Sequence, residues 1–303
     1  MKFAHICLKA RIVFLGHVLN PLWRSREHRR SVRGAVIAAS VSRYLDRYAH
    51  IFSQVPEDTR QEESPGRIFS IWFQGKQSAP AIVQACWRSI RANCSEPLVI
   101  LDAGNILDWV SLPEVVVDKW KRGLIRPAHF ADICRVDLLY RYGGVWMDAT
   151  DFVTAPLPSW VMESDFFMYR SGSKLKGSYA FVQNCFIRSA KSDYLIKCWR
   201  EAILAYWTSE DRAVDYFIHQ MLFRKVIEVN PLAAEHFRTV PSLDQDPTHE
   251  LWFRNAFKTF DPVVFKDITS RSVFQKTEYK SRRADSPAPG TYAAVMLNMY
   301  PES

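Results

Sequence analysis

Glycine is scarce in this chain of 303 residues, 11 in all, below the roughly 7% usual in globular proteins. No cluster of them forms a glycine-rich phosphate loop, so a glycine pair, where one occurs, is worth reading. The six cysteines (Cys7, Cys86, Cys94, Cys134, Cys185, Cys198) include no CxxC and no paired spacing. That argues against a zinc site, which needs closer ligand pairs, and fits buried thiols of a reducing compartment. Long apolar runs are missing as well. Between residues 10 and 23 the uninterrupted apolar stretch is only four to five residues, broken by His17 and Asn20. A bilayer span needs about 20, and no small-residue cleavage site follows, so neither a membrane-spanning helix nor a signal peptide is expected.

Excess charge of either sign is missing from most of the chain. The formal net charge is +8, and the first fifty residues hold all of it, with ten Lys/Arg against two acids. The remaining residues carry 30 of each sign. This excludes a protein coated in basic charge for nucleic acid and describes a basic arm on a neutral body.

Hydrophobic residues at 48% and charged residues at 24% are globular values, so general disorder is excluded. Aromatics reach 14%, with 10 Trp, which suits a carbohydrate or nucleotide site and equally a large core. In the arm, Val32, Val36, Val41, Leu45, Tyr48, Phe52 and Val55 recur at helical spacing behind the basic run Arg24 to Arg30. Two readings stand side by side. One is an interfacial arm on anionic lipid through residues 1–50; the other is a solvated helical hairpin packed on the body. Residues 57–66 are a polar linker. The division expected is 1–66 for arm and linker and 67–303 for the body.

In the body, apolar strand candidates alternate with helical periodicity. Ile68–Phe73, Leu98–Leu101, Val145–Met147, Phe166–Arg170 and Phe181–Ile187 read as strands. Pro80–Asn93, Pro113–Arg122, Pro127–Tyr142, Ser192–Trp207 and Asp211–Val229 read as helices. The pattern implies an α/β fold with a mainly parallel sheet, whose ligands sit beyond the carboxyl ends of strands.

Two adjoining features carry chemistry. On the helix Pro127–Tyr142, His129, Asp132 and Arg135 fall at i, i+3, i+6 on one face. As an isolated pair, Asp132 and Arg135 would be a surface ion pair contributing under about 1 kcal/mol. The helix stops on Gly143-Gly144, a short strand follows, and it ends in Asp148-Ala149-Thr150-Asp151. Hard oxygen ligands at a strand end can hold Mg²⁺ or Mn²⁺ against a diphosphate. The same residues could also be an ordinary Asp/Thr turn. Strand alternation puts Asp148 and Thr150 on one side and Asp151 on the other; past the strand end that rule lapses.

Together, Ala128-His129-Phe130-Ala131-Asp132-Ile133-Cys134-Arg135 and Tyr142-Gly143-Gly144-Val145-Trp146-Met147-Asp148-Ala149-Thr150 resemble the capsular polysaccharide synthesis proteins, relatives of the DXD-containing glycosyltransferase family 32. Ile71-Trp72-Phe73-Gln74-Gly75 matches the family's entry strand. Asn184-Cys185-Phe186-Ile187, Asp215-Tyr216-Phe217 and Lys276-Thr277-Glu278-Tyr279-Lys280 are weaker downstream matches. The resemblance covers roughly residues 67–295.

The resemblance implies a GT-A-like, Rossmann-like mixed sheet flanked by helices. It implies transfer of a sugar, hexosyltransferase-like and retaining, from a nucleotide-sugar donor such as a UDP-sugar to a glycan or lipid-linked acceptor. It also implies Mn²⁺ or Mg²⁺ as cofactor. Carried over residue by residue, it puts Trp72, Asp132 and Arg135 at the donor; the expected donor set also includes Gln74 and Gly144, with Lys276 and Lys280 as cations for the charge that grows on the diphosphate. Asp148 then holds the metal with Thr150 or Asp151, and Arg135 and Asp215 complete the catalytic set. Thr150 departs from the wider family's second Asp, although Asp-Ala-Thr is common in the capsular branch. That departure favours a rival reading, a catalytically silent membrane-associated relative. A DxxD phosphohydrolase or nucleotidyltransferase is weaker, for want of a phosphate loop. The expected location is cytoplasmic, peripheral on the inner face of the cell membrane.

Overall fold

The structure is a computed structural model describing residues 2–18, 26–57, 66–172 and 178–301. Most of the expected linker (58–65) and Arg24 lie outside the described residues. Among the described residues there are seven strands: β1 (Ile68–Ile71), β2 (Leu98–Leu101), β3 (Gly144–Met147), β4 (Asp151–Val153), β5 (Phe166–Arg170), β6 (Val182–Ser189) and β7 (Phe274–Lys276). The central sheet has the order β2-β1-β3-β6-β5. Its β2-β1-β3 part is parallel, while β6 runs antiparallel to both β3 and β5. The parallel part is reached through helical connections, as parallel strands require. A second sheet pairs β4 with β7 antiparallel, placing Asp151 opposite Lys276.

Period-two alternation sorts the sheet's side chains into two layers. Phe69, Trp146 and Ile187 face one core with the helices Pro127–Tyr142, Tyr194–Ser209 and Ile218–Val229. Ile68, Val145, Met147 and Phe167 face the other, against Val83 and Trp87 of the helix Ala81–Asn93.

The helix Pro127–Tyr142 has the bounds its ends dictate. Pro127 occupies the first turn, where its missing N–H costs nothing. At the other end Gly143 takes φ +64° and donates its N–H to Leu139 O at 2.8 Å. Gly144 follows at φ +98°, and a Cβ there would lie 2.3 Å from Arg67 O. The missing side chain lets β3 lie beside the chain entering β1, where Val145 N donates to Arg67 O at 2.8 Å.

The helix Arg26–Leu45 is not a free arm. Val41, Leu45 and Phe52 are fully buried in the same core as Tyr194, Trp199 and Tyr206. The Tyr44 and Tyr48 hydroxyls both donate to the buried Glu210 carboxylate. Asn230 Nδ2 donates to Phe52 O at 3.0 Å. From Gly34 onward the segment is packed on the body. The helix Lys2–Val18 seats Leu8 in that core, while Ile6, Val13 and Phe14 stand 64%, 59% and 66% exposed.

Two expectations are corrected. The helix read from Asp211 begins only at Ile218. Before it, Tyr206 Oη accepts from Val214 N and donates to Arg212 O, and Asp215 Oδ1 accepts from Phe217 N, holding a non-helical turn. Lys276 and Lys280, whose i, i+4 spacing also allows one basic helical face, do not share one, because Lys276 ends strand β7 and Lys280 lies in the exposed chain beyond it.

Candidate functional site

The carboxyl ends of β1 and β3 open into a cleft of about 320 Å³. Trp72 follows the last residue of β1, and its N–H is tied to Leu101 O of β2 at 2.9 Å. Asp148, Ala149 and Thr150 form the turn between β3 and β4, closed by Asp151 N donating to Asp148 O at 3.0 Å. The helix Pro127–Tyr142 contributes Asp132 and Arg135, and β7 contributes Lys276. This is the strand-end position expected for a ligand in such a sheet.

A chain of charge-assisted bonds runs along the floor. Arg135 Nη1 lies 2.9 Å from Asp132 Oδ1, and Nη2 lies 2.9 Å from Asp148 Oδ1. The guanidinium also sits 4.6 Å from the centre of the Trp146 ring. Trp146 Nε1 donates to Asp148 Oδ1 at 2.8 Å. On the other oxygen, Lys276 Nζ donates to Asp148 Oδ2 at 2.7 Å, and the same ammonium reaches Thr150 Oγ1 at 2.8 Å and Asp151 Oδ1 at 3.1 Å. Asp151 Oδ2 accepts from Asp148 N at 2.7 Å.

The charge states follow from these neighbours. Burial alone would raise the Asp148 carboxyl, but Lys276 and Arg135 overcome it and hold the group below the usual carboxylate range. Asp132 is likewise held low by Arg135 and His219 against its burial. Asp151, fully buried, is pushed up to about 8 by burial, with the Asp148 charge adding to the effect and Lys276 opposing it. Burial works against the Lys276 ammonium, yet Asp148 and Asp151 more than offset it and raise its pKa. Arg135 and Lys276 are thus fixed cations lining a water-accessible cleft.

Two residues of this network, Asn184 and Gln220, carried no role in the sequence reading. Asn184 Nδ2 donates to Asp132 Oδ1 at 2.9 Å, and Gln220 Nε2 donates to Asn184 Oδ1 at 3.0 Å. His219 closes it from behind: Nδ1 lies 3.1 Å from Asp132 Oδ2, and Nε2 accepts from Trp207 Nε1 at 2.7 Å. Fully buried, with Nε2 taken by Trp207 and Nδ1 facing Asp132 Oδ2, His219 orients Asp132. His219 and Gln220 are adjacent buried residues of the helix Ile218–Val229. No spacing in the sequence ties them to Asp132.

The cleft brings together Trp72, Asp132, Arg135, Asp148, Thr150 and Lys276. It does not bring in Gln74, an exposed residue whose carbonyl accepts from Ser78, or the exposed Lys280. Gly144 serves the backbone packing described above rather than lining the cleft. Asp215 lines a neighbouring cavity of about 690 Å³ with Lys9, Arg126 and Arg212, which shares Tyr216 with the cleft. His129 is a buried helix histidine near Tyr216 O, its pKa lowered mainly by burial. Trp72 packs edge-on to Tyr279 with ring centres 4.9 Å apart. Its buried indole N–H has no partner among the described residues, an orphan that a ligand in the cleft could satisfy.

The expected metal set meets this geometry poorly. Asp148, Thr150 and Asp151 do converge, but on Lys276 Nζ, and every carboxylate oxygen among them already accepts from a protein donor. Among the described residues no group of three or more His, Cys, Asp or Glu is placed to hold a metal ion. The donor set as arranged does not fit a divalent cation.

The description "capsular polysaccharide synthesis protein" matches residues 21–294, most of the chain and all of the cleft. The chain belongs to the capsular polysaccharide synthesis protein family. No curated protein matches it. Among solved structures that do is one described as "PaToxG Glycosyltransferase", with 14% identity over 69% of this chain and 85% of that chain. Its TM-score of 0.38 is too low to carry an argument about this member of the capsular family. No described helix of this family member is long and apolar enough to cross a membrane.

Proposed function

We propose that this capsular-family protein transfers a sugar from a nucleoside-diphosphate donor to a hydroxyl of a growing surface polysaccharide. The observation that carries the reading is the pair of fixed cations, Arg135 and Lys276, clamped on Asp148 at the strand ends of the cleft. In such a transfer the bond from the anomeric carbon to the diphosphate oxygen breaks, and its electron pair leaves on the diphosphate. The acceptor oxygen forms the new bond, and its proton ends on the released diphosphate. Charge grows on the leaving group, and preorganised cations at that point are the largest help a site can give. Arg135 suits an equatorial phosphate oxygen because its fork is rigid and always charged. Trp72, with its unpartnered N–H, is the candidate platform for the donor base.

The neighbouring cavity is the acceptor side of this reading. Lys9, Arg126 and Arg212 give it positive charge, and Asp215, fixed by the Tyr179 hydroxyl and Phe217 N–H, can accept from an acceptor hydroxyl. Retention of configuration belongs to the reading by family resemblance, and NMR of the product decides it. The exposed apolar side of the helix Lys2–Val18 supports a peripheral place on an anionic membrane.

The test follows nucleoside diphosphate release from a panel of UDP-, GDP- and ADP-sugars, with and without polysaccharide acceptor. Turnover that disappears in Arg135→Ala, with the fold intact by circular dichroism, supports transfer. Binding of a nucleoside diphosphate with no turnover of any donor would point to the silent relative that Thr150 favours. No binding at all would end the nucleotide-sugar reading.

A further inference from the structure

We propose that Lys276 is the resident cation of the transfer site, standing where the sequence motif calls for a divalent metal, so that donor binding needs no metal ion. The inference rests on the nucleotide-sugar reading above and goes beyond it by naming what answers the donor's charge.

Three observations carry it. First, the three oxygens the motif would offer a metal, from Asp148, Thr150 and Asp151, all lie 2.7–3.1 Å from one Lys276 Nζ. An ammonium has three N–H donors, and these three partners use all of them. Second, the lysine is placed by backbone, not by a wandering side chain. Lys276 sits opposite Asp151 in the β4–β7 ladder. The next residue fastens that register, since Thr277 N donates to Thr150 O at 2.8 Å and Thr277 Oγ1 does so at 2.9 Å. Third, the other oxygen positions are closed. Asp148 Oδ1 holds Arg135 and Trp146, and Asp151 Oδ2 holds Asp148 N. A divalent ion reaching these carboxylates would have to displace the ammonium and then sit beside two cations.

Both Thr150 and Lys276 line the open cleft. The neutral Thr150 hydroxyl is the partner that an incoming phosphate oxygen replaces on the ammonium, while Asp148 and Asp151 keep it in place. This gives the second-Asp departure a physical sense. A further carboxylate at 150 would compete with the phosphate for the ammonium, and a hydroxyl yields.

The experiment uses the full chain stripped of metal with EDTA. UDP, GDP and ADP are titrated by calorimetry in EDTA and again in excess Mn²⁺, and Mn²⁺ alone is titrated with detection of free Mn²⁺ by electron spin resonance. The expected result is a nucleoside diphosphate affinity equal within about twofold in the two media, with no Mn²⁺ retained by the wild type without nucleotide. Lys276→Met is expected to weaken diphosphate binding about tenfold or more in EDTA, the worth of one charge-assisted contact. Lys276→Arg, which keeps the charge, is expected to recover part of it. Binding of diphosphate to the wild type only when Mn²⁺ is present would overturn the inference and leave the nucleotide-sugar reading standing. No diphosphate binding in either medium would overturn both. The wild-type arms decide the matter even if Lys276→Met fails to fold.

Discussion

Lys276 Nζ lies 2.7 Å from Asp148 Oδ2, although 128 residues of chain separate the two. The pair joins the short β4–β7 sheet to the end of β3, and Arg135 ties it to the helix Pro127–Tyr142. Removing Asp148 takes away the carboxylate the two cations share and leaves each with one, Asp132 for Arg135 and Asp151 for Lys276. Breaking a buried pair from one side costs about 3–5 kcal/mol, and partial water access to the cleft puts this site at the lower end. We expect Asp148→Ala and Lys276→Met each to lower stability clearly. The double variant should lose less than the sum, with a coupling of about 1–3 kcal/mol. Urea midpoints of the four proteins check this; strict additivity would mean that the contact contributes nothing.

Gly144 and Gly123 both have positive φ, +98° and +71°. They differ in surroundings: a Cβ on Gly144 meets the Arg67 backbone at 2.3 Å, whereas one on Gly123 meets nothing within 4 Å. Gly123→Ala therefore carries only the left-handed backbone penalty, about 1–2 kcal/mol. Gly144→Ala adds a backbone clash that only parting β3 from the entry to β1 relieves, and we expect at least about 3 kcal/mol or insoluble protein. Equal urea midpoints for the two variants would contradict this account of the glycine pair.

His249 gives a signed pH dependence. Burial, with the Lys276 charge adding to it, pushes its imidazole down to about 4, against about 6.5 in an unfolded chain. Between those values the unfolded chain takes up a proton that the folded one refuses. The stability associated with this group is therefore complete above about pH 6.5 and is lost as pH falls towards 4, by at most about 3 kcal/mol. His249→Gln should flatten the fall in urea midpoint between pH 7 and 4.5 relative to the wild type. Parallel pH curves for the two proteins would show that His249 is not held neutral by its surroundings.

Much of the site was legible in sequence because its parts are local. Pro127 and the Gly143-Gly144 pair bound their helix, so Asp132 and Arg135 could be assigned to one face and Asp148 to the following strand end. Lys276 was legible as a residue but not in its role. Strand β7 has three residues, too few for alternation to show, and its partner Asp151 is 125 residues away. Asp215 falls inside the helix expected over Asp211–Val229. The turn is held instead by the Tyr206 hydroxyl and by the Asp215 carboxylate, which periodicity does not register. The Gln220–Asn184–Asp132 relay joins residues from three elements, and no spacing rule connects them. The arm's periodicity was equally compatible with lipid and with the body. Burial of Val41, Leu45 and Phe52 decides for the body over that stretch.

That burial also changes how membrane attachment has to be tested. Deleting residues 1–50 would remove Val41, Tyr44, Leu45 and Tyr48 from the core, so lost vesicle binding would report unfolding. The informative positions are on the helix Lys2–Val18, where Leu8 and Ile12 pack inward and Ile6, Val13 and Phe14 face outward. Exposed Lys9 and Arg11 flank that outer face, the arrangement of a helix lying in a headgroup layer. Val13→Asp and Phe14→Asp should leave the urea midpoint within about 0.5 kcal/mol, as exposed substitutions do. Both should reduce sedimentation with anionic vesicles, and wild-type binding should weaken with salt because each exposed basic group near the surface contributes about 1 kcal/mol. Vesicle binding that survives both substitutions would remove this helix as the membrane contact and leave the cationic cavity beside it, with Lys9, Arg126 and Arg212, as the surface to examine for a lipid-linked acceptor.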